Sequence, residues 1–277
     1  MKPLISVCCP SIRTFFWKNL YNALDEFSED VRFEILFVGP VEADFKTPSN
    51  IKHIKTGNIK VTQCNEIAIR NAQGDMLLFL GDDHKFWGGG LDHLYRERQE
   101  LCGSNGSDNL IYLARFKDKR NNISLIYPRS SPEDQIFASL HCALLDRDII
   151  SRSGEGGYAD IRFVGVYWDC DLAMRLNGAG VKFAQSKGLY CIEYRDARSK
   201  YRLHRICKPH DYGVLSSFWI RKLKEDDVVP SDEIWSYLKN PKWILSRKRL
   251  DKFIGYKDED LLTKSQGPKD MEPLHWD

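Results

Sequence analysis

Apolar and polar residues follow the periods of strands and helices over the first 194 residues. Short apolar runs that end at proline, glycine or polar residues predict strands at 4–9, 33–38, 51–54, 76–80, 110–116, 124–127, 137–145, 181–184 and 189–194. Apolar residues at helical spacing predict helices over 16–27, 61–72 and 168–179. The segments 110–116 and 124–127 are expected to form a hairpin. Strands that alternate with helices predict an α/β fold with a mostly parallel sheet flanked by helices.

The pattern changes beyond about residue 210. From there the sequence becomes helical, aromatic and charged, with tryptophans at Trp219, Trp235 and Trp243. Tryptophans of this kind most often pack an appended helix onto its domain, although they could also stack on sugars or bases. We therefore expect one domain over 1–210 and a helical C-terminal extension over 211–277.

The composition of the chain excludes several classes of protein. The chain has 277 residues, of which 42% are hydrophobic and 29% charged, so it can bury a core and is not largely disordered. No run approaches the ~18 apolar residues of a membrane span, and the N-terminal apolar stretch is too short for a signal peptide. We expect a cytoplasmic protein whose eight cysteines are reduced thiols.

Positive charge is concentrated in one segment. The whole chain has a net charge of only +2, but residues 195–224 carry nine positive and two negative side chains, a net charge of +7. A surface of that sign favours phosphate, in a nucleotide or in a nucleic acid.

Three polar side chains follow the most apolar predicted strand. Asp82, Asp83 and His84 come directly after residues 76–80, at the edge of an α/β sheet where ligands bind. Two carboxylates and an imidazole there could hold a divalent metal beside a diphosphate. The alternative is a polar turn in which an aspartate caps the next helix.

Two aspartates open the predicted helix 168–179. Asp169 and Asp171 are two residues apart, and therefore about 200° apart around a helix. They cannot have the same role: one could face a cleft as a general base, while the other caps the helix or pairs with a basic side chain. The alternative is that both merely complement the helix dipole.

A third candidate follows the first strand. Pro10, Ser11 and Arg13 lie in a loop that could hold a nucleotide base or phosphate, and the following helix N-terminus favours an anion. The alternative is an ordinary connection with a solvated arginine.

Taken in order, these motifs resemble the inverting glycosyltransferases of family 2, which have the GT-A (Rossmann-like) fold. The resemblance covers roughly residues 4–194. Its motifs are P-x-x-R at Pro10–Arg13, Asn65 with N-A-x-G-D at Asn71–Asp75, the acidic triplet at Gly81–Asp83, G-G-Y at Gly156–Tyr158, and D-x-D-L-x-x-R-L at Asp169–Leu176.

The resemblance implies a hexosyl- or pentosyltransferase that uses a nucleotide-sugar donor and inverts the anomeric centre. Asp169 would be the catalytic base and Asp171 a structural acid. Asp83 would hold Mn²⁺ or Mg²⁺, with His84 as an extra ligand. The donor-binding residues would be Pro10, Ser11, Arg13, Asn65, Asp82, Asp83 and Arg195.

The sequence departs from the family at two positions. Gly81 stands where the acidic triplet usually opens with aspartate, and Gly39-Pro40 stands where an aspartate usually reads the base. Recognition of the nucleoside is therefore expected to be unusual, and uracil should not be assumed.

The acceptor and the rival functions remain open. The acceptor could be a saccharide or lipid-linked sugar, or a hydroxylated base in phage-type DNA, which would place the protein in the cytoplasm of an infected host. One rival is a nucleic-acid-binding module that has lost catalysis. Another is a nucleotidyltransferase, which would release pyrophosphate.

Overall fold

The computed structural model describes residues 2–43, 45–57, 60–105, 109–117, 122–123, 126–127, 137–153, 158–160, 163–193, 211 and 214–215. Arg195, the basic segment before residue 211 and most of the predicted extension lie outside the described residues. Among the described helices, none has the length and hydropathy needed to cross a bilayer. The seven cysteines in this part of the chain are all buried thiols that form no disulfide.

Eleven strands and four α-helices make up the described structure. The strands are β1 (Ile5–Pro10), β2 (Phe33–Gly39), β3 (Ile51–Lys55), β4 (Met76–Phe79), β5 (His84–Trp87), β6 (Leu110–Lys117), β7 (Asn122–Ile123), β8 (Ile126–Tyr127), β9 (Phe137–Ala138), β10 (Ala143–Asp146) and β11 (Lys182–Glu193). The helices are α1 (Trp17–Asp25), α2 (Val61–Asn71), α3 (Leu91–Asn105) and α4 (Trp168–Gly178).

The central sheet has the strand order β3-β2-β1-β4-β10-β6-β11-β5, and β7 pairs with β6. Strands β1 to β4 are parallel, as are β6 and β11, whereas β10 runs antiparallel to both β4 and β6. Strands β5 and β7 are also antiparallel to their partners. Most strands therefore run in one direction, and the predicted α/β class with a mostly parallel sheet flanked by helices is confirmed.

The core lies between the central strands and the helices. Every residue of β2 is buried, as expected for a parallel strand covered on both faces. Helix α1 buries Trp17, Leu20 and Leu24, and the Trp17 ring stacks on Phe37 of β2 with centroids 4.1 Å apart. This stack fixes the start of α1, and with it the loop that follows β1.

Several predicted boundaries are wrong. Helix α1 ends at Asp25, so Phe27, which was expected on its apolar face, is 44% exposed. The predicted hairpin forms earlier, between β6 and Asn122–Ile123, while β8 pairs with β9 in a separate two-stranded sheet. The two strands expected after α4 form one strand, β11, with a register irregularity between Gln185 and Tyr190.

The sequence analysis did not predict β5 and α3. Strand β5 has only four residues and begins inside the polar triplet, so its pattern was interpreted as a turn. The segment predicted as one strand over 137–145 is interrupted between β9 and β10, where Cys142 has a φ of +59°. A left-handed residue interrupts an extended run, because its positive φ lies outside the β region.

The described part of the predicted extension is attached to the domain. Asp211 is fully buried, and its carboxylate accepts hydrogen bonds from the backbone N–H groups of Val164, Gly165 and Val166, each at 2.8 Å. Leu215 is buried in the same core. The boundary between 210 and 211 stays a prediction, but Asp211 holds the segment that leads into α4.

We expect Asp211→Ala to lower the free energy of unfolding by about 2–4 kcal/mol. The substitution leaves three backbone donors without their charged acceptor, and a buried unsatisfied group is costly. Urea denaturation would measure the change against Asp30→Ala, which alters an exposed aspartate. Equal midpoints for the two variants would contradict the anchoring role.

Candidate active site

The loop after β1 meets the turn after β4 because these two strands are parallel neighbours. Arg13 Nη1 donates a hydrogen bond to Asp83 Oδ2 at 2.8 Å, and Arg13 Nη2 donates one to Asp82. The Ser11 hydroxyl also donates to Asp82. The structure thus brings together four of the residues predicted to bind the donor: Ser11, Arg13, Asp82 and Asp83.

Ser11 is fixed by the residues around it. Its Oγ accepts a hydrogen bond from Trp17 Nε1 at 2.7 Å and from the Arg13 backbone N–H at 3.1 Å, while it donates to Asp82. The hydroxyl therefore uses its donor and both acceptor positions within the protein. The Trp17 stack in the core is in this way connected to the first carboxylate of the site.

The two carboxylates are enclosed together with a single guanidinium. Asp82 is 2% exposed and Asp83 is 5% exposed. Burial raises the pKa of Asp82 to about 6, although Arg13 and Ser11 act in the opposite direction. Burial also opposes the charge on Arg13, but the two carboxylates outweigh it and raise the Arg13 pKa above its ordinary value. Buried carboxylate oxygens with one cationic partner fit a hard divalent cation such as Mn²⁺ or Mg²⁺.

Steric crowding explains why residue 81 is a glycine. A Cβ at this position would lie 2.5 Å from two atoms of the His84 ring and 2.9 Å from Asp83 Oδ1. His84 is itself buried, so its ring has little room to retreat. With the His84 ring in this place, residue 81 has no space for an aspartate side chain.

Steric crowding also explains Gly39, the second position at which the sequence departs from the family that it resembles. A Cβ at Gly39 would lie 2.0 Å from the backbone oxygen of Ser11. The end of β2 thus approaches the loop after β1 too closely for an aspartate, or any other side chain, at that position.

His84 faces a histidine that the sequence analysis missed. The Nε2 atoms of His84 and His141 are 2.6 Å apart, and the ring centroids are 4.4 Å apart at 70°. Burial and His141 lower the pKa of His84 to about 3, and burial lowers the pKa of His141 as well. Both rings are therefore neutral near pH 7. The available signal was a polar His-Cys pair inside the otherwise apolar segment 137–145.

The two aspartates of α4 make different contacts, as predicted. Asp171 is buried and pairs with Arg175 at 2.9 Å, and Arg175 also donates to the backbone oxygens of Ser153 and Tyr158. Asp169 is partly exposed, and its Oδ2 accepts a hydrogen bond from Ser139. Asp171 is thereby structural, while Asp169 remains available to a ligand. Its role as a base stays a prediction.

Asp169 is held on a well-anchored helix. Trp168, Leu172 and Leu176 of α4 are buried, as predicted. The helix begins after Tyr167, which has a left-handed φ of +62°. Glu66 of α2, which the sequence analysis missed, accepts the backbone N–H groups of Tyr158 and Ala159 at 2.9 and 3.0 Å.

The remaining predicted donor residues are less closely joined to the cluster. Pro10 ends β1 and pairs with Val38 of β2. The Asn65 side chain is buried and donates to the Val61 carbonyl of its own helix at 3.0 Å. Arg195 and the glycines at 156 and 157 lie outside the described residues.

Comparison with known proteins establishes the fold. No family model and no curated protein matches the sequence. Among solved structures, S. aureus TarS 1–349 matches with a TM-score of 0.51 and 16% identity over 81% of this chain and 72% of that chain. TarS 1–349 in complex with UDP-GlcNAc matches with a TM-score of 0.51 and 15% identity over 94% and 77% of the two chains. The fold is of the GT-A, Rossmann-like type.

We expect Gly81→Ala to destabilise the protein by about 1–3 kcal/mol, the usual cost of overpacking a filled site. Gly103→Ala is the matched control, because a Cβ there meets nothing within 4 Å and α3 gains up to ~1 kcal/mol of helix propensity. Thermal unfolding would rank the two variants. If Gly81→Ala is as stable as Gly103→Ala, the steric explanation for Gly81 is wrong.

Proposed function

We propose that this protein is a glycosyltransferase that moves a sugar from a nucleotide-sugar donor to an acceptor hydroxyl, with inversion at the anomeric carbon. The observation that carries the proposal is the position of His141. Its ring meets His84, the neighbour of Asp83, and its backbone N–H donates to Ser139, which holds Asp169. The proposed base and the proposed diphosphate site therefore lie around one residue. The GT-A fold, and a neighbour solved with UDP-GlcNAc, support a nucleotide sugar as the donor.

Arg13 is the group we assign to the diphosphate. Its guanidinium lies beside Asp82 and Asp83 and can offer further N–H donors to phosphate oxygens. Ser11 and Asp82 would contact the ribose or the diphosphate. Pro10, Asn65 and Arg195 complete the donor site only on the basis of the family resemblance.

Asp83 is the ligand we assign to Mn²⁺ or Mg²⁺. Its carboxylate supplies the oxygen donors that these ions prefer. His84 was predicted as an extra ligand, and its Nδ1 lies 3.4 Å from Asp83 Oδ1. When bound, the ion would neutralise the charge that develops on the leaving nucleoside diphosphate. With Asp83 engaged there, Arg13 could turn toward the phosphates.

Asp169 is the base we assign to the acceptor. One carboxylate oxygen is held by Ser139, whose Oγ in turn accepts the His141 backbone N–H at 3.2 Å. The other oxygen can take the proton of the acceptor hydroxyl as that hydroxyl attacks the anomeric carbon. The bond from this carbon to the diphosphate oxygen breaks on the opposite side, which inverts the configuration. Ser139 is a positioning residue in this scheme.

A thermal-shift screen of nucleotide sugars, with and without Mn²⁺, tests donor binding. A ligand at 100 times its dissociation constant adds about 2.7 kcal/mol to stability. We expect Asp83→Ala to lose the metal-dependent part of this stabilisation, and Asp75→Ala, which changes an exposed aspartate, to retain it. Full metal-dependent binding by Asp83→Ala would reject the site, and release of pyrophosphate would indicate a nucleotidyltransferase instead.

We expect Asp169→Asn to lower sugar transfer by ~10²–10⁴-fold, the range for a lost general base, with little change in donor affinity. Asp171→Asn should act mainly on stability, because Asp171 is bound to Arg175. Turnover with the best donor of the screen, alongside the thermal midpoint of each variant, separates the two effects. Near-normal turnover by folded Asp169→Asn would mean that the base lies elsewhere.

A further inference from the structure

Three potential metal ligands form a cluster behind the donor aspartates. One ligand atom from each of His84, His141 and Cys142 lies within 4.8 Å of the others. Two of the three come from the β9–β10 connection and the third from the start of β5. The ring of Phe116 packs against both imidazoles, at 5.8 and 4.9 Å between centroids, and forms an apolar wall.

The two imidazoles face each other at a separation close to that of two ligands on one ion. Imidazole nitrogen is a common zinc ligand. Their Nε2 atoms are 2.6 Å apart. Two bonds of 2.0–2.1 Å to one tetrahedral ion would place them about 3.3 Å apart. A shift of less than one ångström by the partly exposed His141 ring would therefore admit the ion.

The surroundings resemble those of bound metals in two respects. His84 Nδ1 is buried 3.4 Å from Asp83 Oδ1 without a hydrogen bond, and a small approach would form the carboxylate–histidine contact that orients a ligating ring from its far side. Cys142 has a φ of +59°, a conformation that is costly for a non-glycine residue and is often found at functional sites. A cysteine held there places its sulfur beside the two imidazoles.

We propose that His84, His141 and Cys142 bind Zn²⁺, with a fourth position left open. Two nitrogens and one thiolate favour zinc or cobalt over magnesium, which prefers oxygen ligands. His141 is partly exposed and gives the ion a route of entry. Cys142 loses its proton when the Zn–S bond forms, and the proton passes to solvent. This assignment moves His84 from the ion at the diphosphate to a second ion, and it does not depend on sugar transfer.

The test uses the full chain, freed of metal by a chelator and titrated with Zn²⁺ alone. We expect one Zn²⁺ per chain, measured by competition with a chromophoric chelator. Substitution by Co²⁺ should give a thiolate-to-cobalt charge-transfer band. His141→Ala and Cys142→Ala should each lower Zn²⁺ affinity by more than ~100-fold, and Cys142→Ala should abolish the band. Asp83→Asn should lower affinity by ~10–100-fold, as outer-shell partners do.

The controls are a thiol and an imidazole outside the cluster. Cys64→Ala removes a buried thiol of α2, and His53→Ala removes a histidine of β3. Both should keep full affinity. The proposal is overturned if the wild-type chain binds no Zn²⁺, or if folded Cys142→Ala retains both affinity and band. A greater loss in Asp83→Asn than in Cys142→Ala also overturns it, because the ion would then belong to the diphosphate site. His141→Ala provides the same comparison if Cys142→Ala does not fold.

Discussion

The charge balance among Arg13, Asp82 and Asp83 is the constraint around which this structure is built. Two almost fully buried carboxylates are tolerable only because a guanidinium reaches both, and unpaired buried charges are among the costliest features a fold can contain. The pairing requires that the loop after β1 lie against the turn after β4, which the parallel order of these strands provides. Ser11 and the stacked Trp17 ring connect this ion pairing to the hydrophobic core.

Much of this site was predictable from the sequence, because each predicted group follows a strand whose pattern is strong. Asp82 and Asp83 follow a fully apolar run, and Arg13 follows another, so parallel pairing alone places them at one edge. His141 was not predictable in this way. It belongs to a segment that returns antiparallel between β4 and β6, and no local pattern shows which strand it will join.

Gly81 was noticed in the sequence, but the reason for the glycine could be found only in the structure. In the sequence it resembles a lost acid, which is an argument for the rival function of a module that has lost catalysis. In the structure the position is too crowded for any side chain, because the His84 ring occupies the space. A pattern of residue types cannot show that the side chain of His84 fills the space that a side chain at position 81 would need. The boundaries of β5 and β11 were missed for a related reason: strand length depends on the partner strand as well as on the residues themselves.

The anchoring of Asp211 has a consequence for the order in which the protein forms. The part of the sheet that the structure describes can be completed once β11 has left the ribosome, because these strands lie before residue 194. The backbone at 164–166, however, gains its charged acceptor only when residue 211 has left the ribosome. A nascent chain can thus have a formed sheet while the backbone at 164–166, which leads to Asp169, still lacks its acceptor. Assembly of the site therefore waits for Asp211, which follows the backbone that it holds by at least 45 residues.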